Sequence, residues 1–131
     1  MLISKKKKMN NAFKILVVDD EPDIVEILTY NLEKENFIVS KAYNGNECIE
    51  QANAIHPDLI IMDVRMPGMD GIETCRNLQL IDSLKKIPVL FLTADSDEFT
   101  SLKAFDAGGS HFVTKPIKPS VLVSMIKELL Q

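Results

Sequence analysis

The sequence has no tryptophan, only two cysteines and only five glycines in 131 residues. It therefore lacks the cysteines of a disulfide scaffold and the glycine of a collagen-like or low-complexity chain. It also lacks any apolar run near the roughly 18 residues that a membrane-spanning helix needs. What remains is a globular composition, 46% hydrophobic and 26% charged, at a length that fits one domain.

Positive charge is scarce beyond the N-terminus. The first 13 residues carry four consecutive lysines, Lys5 to Lys8, and no acid, while the remainder has 11 basic and 19 acidic residues, a net charge of −8. An acidic body is a poor electrostatic partner for nucleic acid, so we expect no direct nucleic-acid binding. We interpret residues 1–13 as a basic, disordered leader and residues 14–131 as the folded domain.

The two cysteines do not suggest a metal site. Cys48 and Cys75 form no CxxC pair, and neither histidine lies at ligand spacing from them. The basic leader is not followed by the apolar stretch of an export signal. We therefore expect two buried, reduced thiols in a cytoplasmic protein.

Short apolar runs alternate with segments of helical period along the chain. Strands are predicted at 14–19, 37–42, 59–62, 88–92 and 110–114. Helices are predicted after each of them, and Pro22 and Pro119 stand where the first and last would begin. Strict alternation of five strands with five helices predicts an α/β fold in which a parallel sheet carries helices on both faces.

Polar residues that can bind ligands or react stand at the carboxyl ends of these strands. The first strand leads to Asp19 and Asp20, the third to Asp63, the fourth to Thr93 and the fifth to Lys115. Ligands of open parallel sheets bind beyond the carboxyl ends of the strands, so these residues should converge. Three converging carboxylates favour a hard cation, and Mg²⁺ suits them best. A hydroxyl and an ammonium beside that cation indicate a phosphoryl ligand.

Asp63 is the candidate nucleophile of this cluster. It stands alone after its strand and before a Pro-Gly loop, whereas Asp19 and Asp20 are adjacent and can share a metal. Attack by a carboxylate on phosphorus gives an acyl phosphate, a known type of covalent intermediate.

Four segments together resemble the receiver domain of bacterial two-component response regulators. They are VVDDE at 17–21, MDVRMPGMDG at 62–71, LTA at 92–94 and FVTKP at 112–116. The resemblance extends over nearly the whole chain, roughly residues 13–130. It implies a flavodoxin-like (βα)5 doubly wound sandwich, with a five-stranded parallel sheet of order 2-1-3-4-5.

The resemblance also implies roles for the acidic residues. Asp63 would be the phosphoacceptor and a Mg²⁺ ligand, Asp20 a direct ligand of the metal, and Asp19 its partner, acting mainly through water. The backbone carbonyl of Arg65 would complete the protein ligands.

Further implied roles surround the phosphoryl group. Thr93 and Lys115 would bind its oxygens, and Phe112 would be the aromatic residue that turns inward when Thr93 moves. A phenylalanine of the plain core looks the same in sequence, so that reading of Phe112 stays open. Two positions that tune phosphate lifetime in the family are occupied by Arg65 and Asp95, and we hypothesise that their opposite charges pair and slow dephosphorylation.

The function implied is a signalling switch rather than a turnover enzyme. A histidine kinase or phosphotransfer protein would phosphorylate the chain, and the face made by helix 4, strand 5 and helix 5 would then change to control a partner or an effector domain. A homodimer through that face is left open. The alternatives are a flavodoxin-like electron carrier, which would want a phosphate-binding loop where the sequence has acids, and an aspartate-based phosphohydrolase, which would want an acid where Arg65 stands. A degenerate receiver that serves only as an interaction module is disfavoured by the intact acidic and lysine positions.

Overall fold

The structure, a computed structural model, describes residues 12–94 and 97–130. Within these ranges, five strands and five helices alternate along the chain. The strands are β1 (Lys14–Val18), β2 (Ile38–Ala42), β3 (Leu59–Met62), β4 (Val89–Thr93) and β5 (His111–Thr114). The helices are α1 (Pro22–Glu33), α2 (Gly45–Ile55), α3 (Gly71–Gln79), α4 (Glu98–Asp106) and α5 (Pro119–Leu129).

The strands form one parallel sheet in the order β2-β1-β3-β4-β5. This confirms the predicted α/β fold and the predicted strand order. The observed strands begin or end within one residue of the predicted ones, and Thr93 is the last residue of β4 rather than the residue after it.

The three central strands are apolar because helices cover both of their faces. Every residue of β3 and β4 is buried, as a near-continuous hydrophobic run predicts for a parallel sheet. One core cluster lies between the sheet and helices α2, α3 and α4, and contains Val18, Met62 and Phe91. The other lies on the side of α1 and α5, and contains Val17 and Ile61.

Local signals explain where the helices begin. Pro22 and Pro119 occupy the first turns of α1 and α5, where the missing N–H of proline is not needed. The side chain of Asn44 caps α2 by accepting a hydrogen bond from the Glu47 N–H, and the side chain of Asp70 caps α3 in the same way. These caps stabilise the helix ends that face the carboxyl edge of the sheet.

Helix α4 packs differently from what its apolar residues suggest. The small residues Ala104, in the helix, and Ala107, directly after it, are buried in the core cluster, whereas Leu102 and Phe105 are 63% and 51% exposed. Alanines allow the helix to lie close to the sheet, and the two large side chains are then left on the outer surface.

The first 11 residues, including Lys5 to Lys8, lie outside the described residues, as does Asp95. Phe13 packs against the core cluster on the α1 and α5 side, and its carbonyl accepts a hydrogen bond from the Ile38 N–H at 2.9 Å. None of the helices in the described part of the chain combines the length and the apolar character needed to cross a bilayer.

Candidate phosphoryl and metal site

The sheet's hydrogen-bond ladder continues one residue past three strands and so positions the candidate site residues. The Asp63 N–H donates to the Val18 carbonyl at 3.0 Å, and the Lys115 N–H donates to the Thr93 carbonyl at 2.7 Å. The Asp19 N–H likewise donates to the Ala42 carbonyl at 3.2 Å. These backbone bonds hold the two carboxylates and the ammonium-bearing chain at one edge of the sheet, as the strand order requires.

Three carboxylates meet at this edge. Oxygens of Asp19, Asp20 and Asp63 all lie within 4.8 Å of one another. Asp19 and Asp63 are buried, with 3% and 8% exposure, while Asp20 is half-buried. Like charges this close, two of them away from water, repel each other unless a cation compensates them.

Lys115 supplies one compensating charge from the end of β5, the edge strand on the far side of β4. Its ammonium lies 3.1 Å from Asp19 Oδ2 and 3.9 Å from Asp63 Oδ2, and the lysine side chain is only 20% exposed. One ammonium among three carboxylates leaves an excess of negative charge. This donor set of oxygen ligands fits a hard divalent cation, for which Mg²⁺ is well suited.

The environment of Asp63 contains opposing influences on its carboxyl group. Burial raises the pKa of Asp63 above its ordinary value, and the charge of Asp19 adds to this rise. The ammonium of Lys115 and hydrogen bonds from the Thr93 side chain and the Arg65 N–H act to lower the pKa, but they do not cancel the effect of burial. A buried carboxylate that is costly to ionise gains from any further cation at the site.

Two of these carboxylates, Asp20 and Asp63, line an open cleft of about 480 Å³. Its walls are formed by acidic, cationic and hydroxyl-bearing side chains together with one alanine: Asp20, Glu21, Asp63, Arg65, Thr93, Ala94 and Lys115. Solvent and a small anion can therefore reach Asp63 from outside, although the carboxylate itself is largely buried.

Phe112 lies in β5 and packs against the core cluster on the side of α2, α3 and α4. It is half-buried, it is the register partner of Phe91, and the two ring centroids are 6.5 Å apart. Thr93 follows Phe91 by two residues, so the three side chains share one face of the sheet. Phe112 is thus packed beside the strand that carries Thr93 and remains partly accessible to solvent.

The structure brings together the sequence-predicted residues Asp19, Asp20, Asp63, Thr93 and Lys115, with Arg65 at the cleft wall. The predicted partner of Arg65, Asp95, lies outside the described residues.

One neighbour of the site was missed by the sequence analysis. Gly71, at the start of α3, lies directly against the backbone of Asp63. Its signal in the sequence is the Asp70-Gly71 dipeptide, which indicates a turn or a helix start but no particular contact.

Comparison with known proteins identifies a family. The sequence model of one protein family, the response regulator receiver domain, matches residues 15–127 of this chain. ResD, a transcriptional regulatory protein of Bacillus subtilis, is 40% identical over 121 residues, which are 92% of this chain and 49% of that protein. PhoP of the same organism, the alkaline phosphatase synthesis transcriptional regulatory protein, is 41% identical over 118 residues, which are 90% of this chain and 48% of that protein.

A solved structure is similar over nearly the whole chain. It is the signal receiver domain of a signal transduction histidine kinase from Syntrophus aciditrophicus, 40% identical, with a TM-score of 0.83. The match covers 91% of this chain and 90% of that one. By contrast, this chain spans about half the length of the two curated relatives.

Proposed function

The chain belongs to the family of response regulator receiver domains of two-component systems, and we propose that it is a switch phosphorylated on Asp63. The observation that carries the proposal is the position of this carboxylate. Asp63 lies at the cleft between a second carboxylate, the Lys115 ammonium and the Thr93 hydroxyl. Receiver domains are signalling domains that act with histidine kinases and bind Mg²⁺ at an acidic pocket.

The proposed metal ligands are Asp20 and Asp63, with Asp19 acting mainly through water and the Arg65 backbone carbonyl completing the set. When bound there, Mg²⁺ supplies positive charge to the phosphoryl oxygens and to the crowded carboxylates. The close approach of the three side chains and the raised pKa of Asp63, which burial causes, support a cation at this position.

In the proposed reaction, an Asp63 carboxylate oxygen forms a bond to the phosphorus of a phosphohistidine donor. The bond between phosphorus and the imidazole nitrogen breaks, and that nitrogen keeps the electron pair. Lys115 and Thr93 bind the phosphoryl oxygens, and the Ala94 N–H assists. Hydrolysis follows when water attacks the phosphorus, which releases phosphate and regenerates the carboxylate. The chain promotes both steps on its own side chain and is not a turnover enzyme.

We further propose that phosphorylation is read out through Thr93 and Phe112. Movement of the Thr93 hydroxyl toward a phosphoryl oxygen vacates space on the face of the sheet that Phe112 shares. An inward turn of Phe112 would then change the surface made by α4, β5 and α5. The acyl phosphate carries about two negative charges where the carboxylate carried one, and this added charge and its three oxygens supply the bias for this two-state element.

The output of the switch is a proposal drawn from the relatives. Both ResD and PhoP are described as transcriptional regulatory proteins, so we propose control of an effector domain or a separate partner rather than DNA contact by this acidic domain. The two buried thiols, Cys48 and Cys75, fit the proposed cytoplasmic location. The acidic cleft wall disfavours the flavin-binding alternative, because Asp20 and Glu21 would repel a flavin phosphate.

Phosphorylation is tested with acetyl phosphate, a small donor that removes the need for the cognate kinase. We expect a mass gain of one phosphoryl group that requires Mg²⁺, is released by hydroxylamine as an acyl phosphate should be, and is absent in Asp63→Asn.

Asp70→Asn is the matched control for that experiment. Asp70 lies on the loop that follows Asp63 but only caps α3, and asparagine caps helices equally well. This variant should be phosphorylated at the wild-type rate. Loss of phosphorylation in Asp70→Asn with retention in Asp63→Asn would contradict the assignment, as would phosphorylation of the wild type in chelator.

A further inference from the structure

The first residue of α3 lies directly on the peptide backbone of the proposed phosphoacceptor. A Cβ atom added at Gly71 would overlap the Asp63 carbonyl oxygen, and it would lie 3.0 Å from the Asp63 carbonyl carbon and 3.1 Å from Val64 Cα. These obstacles are backbone atoms and cannot rotate away as a side chain can. Only glycine therefore permits this approach of the helix to the end of β3.

This approach is held by hydrogen bonds at Gly71 and at the residue before it. Its N–H donates to the Val64 carbonyl at 2.8 Å. One residue earlier, the Asp70 carboxylate accepts from the Glu73 N–H at 2.8 Å, and the Asp70 carbonyl accepts from the Thr74 hydroxyl at 2.7 Å. The first turn of α3 is thus closed on itself and tied to the residue after Asp63.

Asp63 is consequently held from two directions. On the sheet side its N–H donates to the Val18 carbonyl at 3.0 Å. On the other side the Gly71 backbone packs against its carbonyl group. The intervening loop carries Arg65, whose N–H donates to the Asp63 carboxylate. A displaced α3 would move both the carboxylate and this loop.

We propose that Gly71 is a positioning residue for phosphoryl transfer, a role that rests on the proposed function of Asp63. It touches neither the phosphoryl group nor the metal. By letting α3 sit on the Asp63 carbonyl, it sets where the nucleophilic carboxylate and the Arg65 carbonyl lie relative to Asp20 and Lys115. Small displacements matter here, because phosphoryl transfer depends chiefly on positioning.

Gly45 offers a matched control in the neighbouring helix. A Cβ atom at Gly45 would overlap the Thr74 hydroxyl oxygen and lie 2.8 Å from the Met69 methyl group. Gly45→Ala therefore crowds the contact between α2 and α3, including the Thr74 hydroxyl that donates to the Asp70 carbonyl, whereas Gly71→Ala crowds the contact between α3 and the end of β3. The atoms that Gly45→Ala meets belong to side chains that can rotate away, and the Asp63 backbone is left untouched. Both variants should lose stability, and only one should misplace the nucleophile.

The test measures the phosphorylation rate against acetyl phosphate concentration at saturating Mg²⁺, per folded molecule, together with Mg²⁺ binding by calorimetry. For Gly71→Ala we expect the maximal rate to fall by about ten- to a hundred-fold, as misplacement of a reacting group by about an ångström does. Mg²⁺ binding should weaken as well. Gly45→Ala should keep the wild-type maximal rate and Mg²⁺ affinity despite its lower melting temperature.

Equal maximal rates in the two glycine variants would overturn the positioning role and leave the proposed function intact. A wild type that takes up no phosphoryl group would instead overturn the proposed function. If Gly71→Ala is partly unfolded, the assay is repeated in trimethylamine N-oxide, which favours the compact state. Recovery of the wild-type rate along with the helical circular dichroism signal would show that Gly71 acts on stability alone and would contradict the proposal.

Discussion

At the scale of single residues, the site is a balance of opposing charges around Asp63. Burial and the nearby Asp19 make its ionised form costly, whereas Lys115 and the Thr93 hydroxyl favour that form. The net result is a raised pKa of Asp63. In the metal-free domain, the ionised Asp63 carboxylate therefore lowers the free energy of unfolding. A bound cation would reduce this destabilisation, and a covalent phosphoryl group would alter the charge at the same position.

We predict that Asp63→Asn raises the melting temperature of the metal-free protein at pH 7. The raised pKa means that the unfolded chain loses this proton at lower pH than the folded one, so wild-type stability falls as the pH rises through that interval. Above the interval the variant avoids the whole penalty. Below the ordinary pKa of 3.8, Asp63 is neutral in both the folded and the unfolded chain, and the difference should vanish.

Thermal unfolding in chelator between pH 3 and pH 8 checks this prediction, with Asp70→Asn as the control. Added Mg²⁺ should then stabilise the wild type more than Asp63→Asn, because the variant has lost a proposed ligand. A variant that is less stable than the wild type at pH 7 would show that the contact with Lys115 outweighs the cost of burial.

The lifetime of the phosphorylated state is also set by single residues. We propose that Arg65, which lines the cleft, and Asp95 form an ion pair across its mouth and restrict the attacking water. The double variant Arg65→Ala with Asp95→Ala should then lose its phosphoryl group several-fold faster, measured as decay after the donor is removed. Arg76→Ala, which removes an exposed arginine from α3, should decay at the wild-type rate, and an unchanged decay in the double variant rules the pair out.

At the scale of elements, each helix has one face that packs against the sheet and must be apolar, and one outer face that the sheet does not constrain. Helix α4 buries Ala104 and Ala107 and exposes Leu102 and Phe105. The exposed pair is three residues apart and so lies on one side of the helix. It belongs to the α4, β5 and α5 surface that the proposed switch would change, and we propose that a second copy of the domain covers it.

We predict that phosphorylation promotes a dimer that Leu102→Asp prevents. A charge in the apolar contact would have to be buried without a partner, which is costly. Sedimentation of the acetyl-phosphate-treated proteins measures the effect, and Leu80→Asp is the control because Leu80 is 81% exposed at the end of α3, on a different helix. A phosphorylated wild type that stays monomeric, or a Leu102→Asp dimer as strong as that of the wild type, contradicts the prediction.

At the scale of the whole molecule, the strand order creates the site. Because β1, β3, β4 and β5 are consecutive neighbours in a parallel sheet, their carboxyl ends form one edge. Residues 96 positions apart, Asp19 and Lys115, thereby come within 3.1 Å of each other. The helices bury both faces of the sheet, and burial raises the pKa of Asp63 at this edge.

The fold class could be predicted from the sequence alone, as could the convergence of Asp63, Thr93 and Lys115 at one edge of the sheet. Its buried strands are recognisable because a doubly covered sheet demands apolar runs, and the acids, threonine and lysine stand where those runs end. The predicted strand boundaries agree with the observed ones to within one residue, because polar residues interrupt each apolar run.

Contacts that depend on the distance between separate segments could not be predicted from the sequence and required the folded structure. The packing of Gly71 against Asp63, the outward side of Leu102 and Phe105, and the burial that raises the pKa of Asp63 belong to this class. Residue type and spacing report which face a side chain prefers, but they do not report how closely two elements approach. That distance follows from the shapes of all the side chains packed between them.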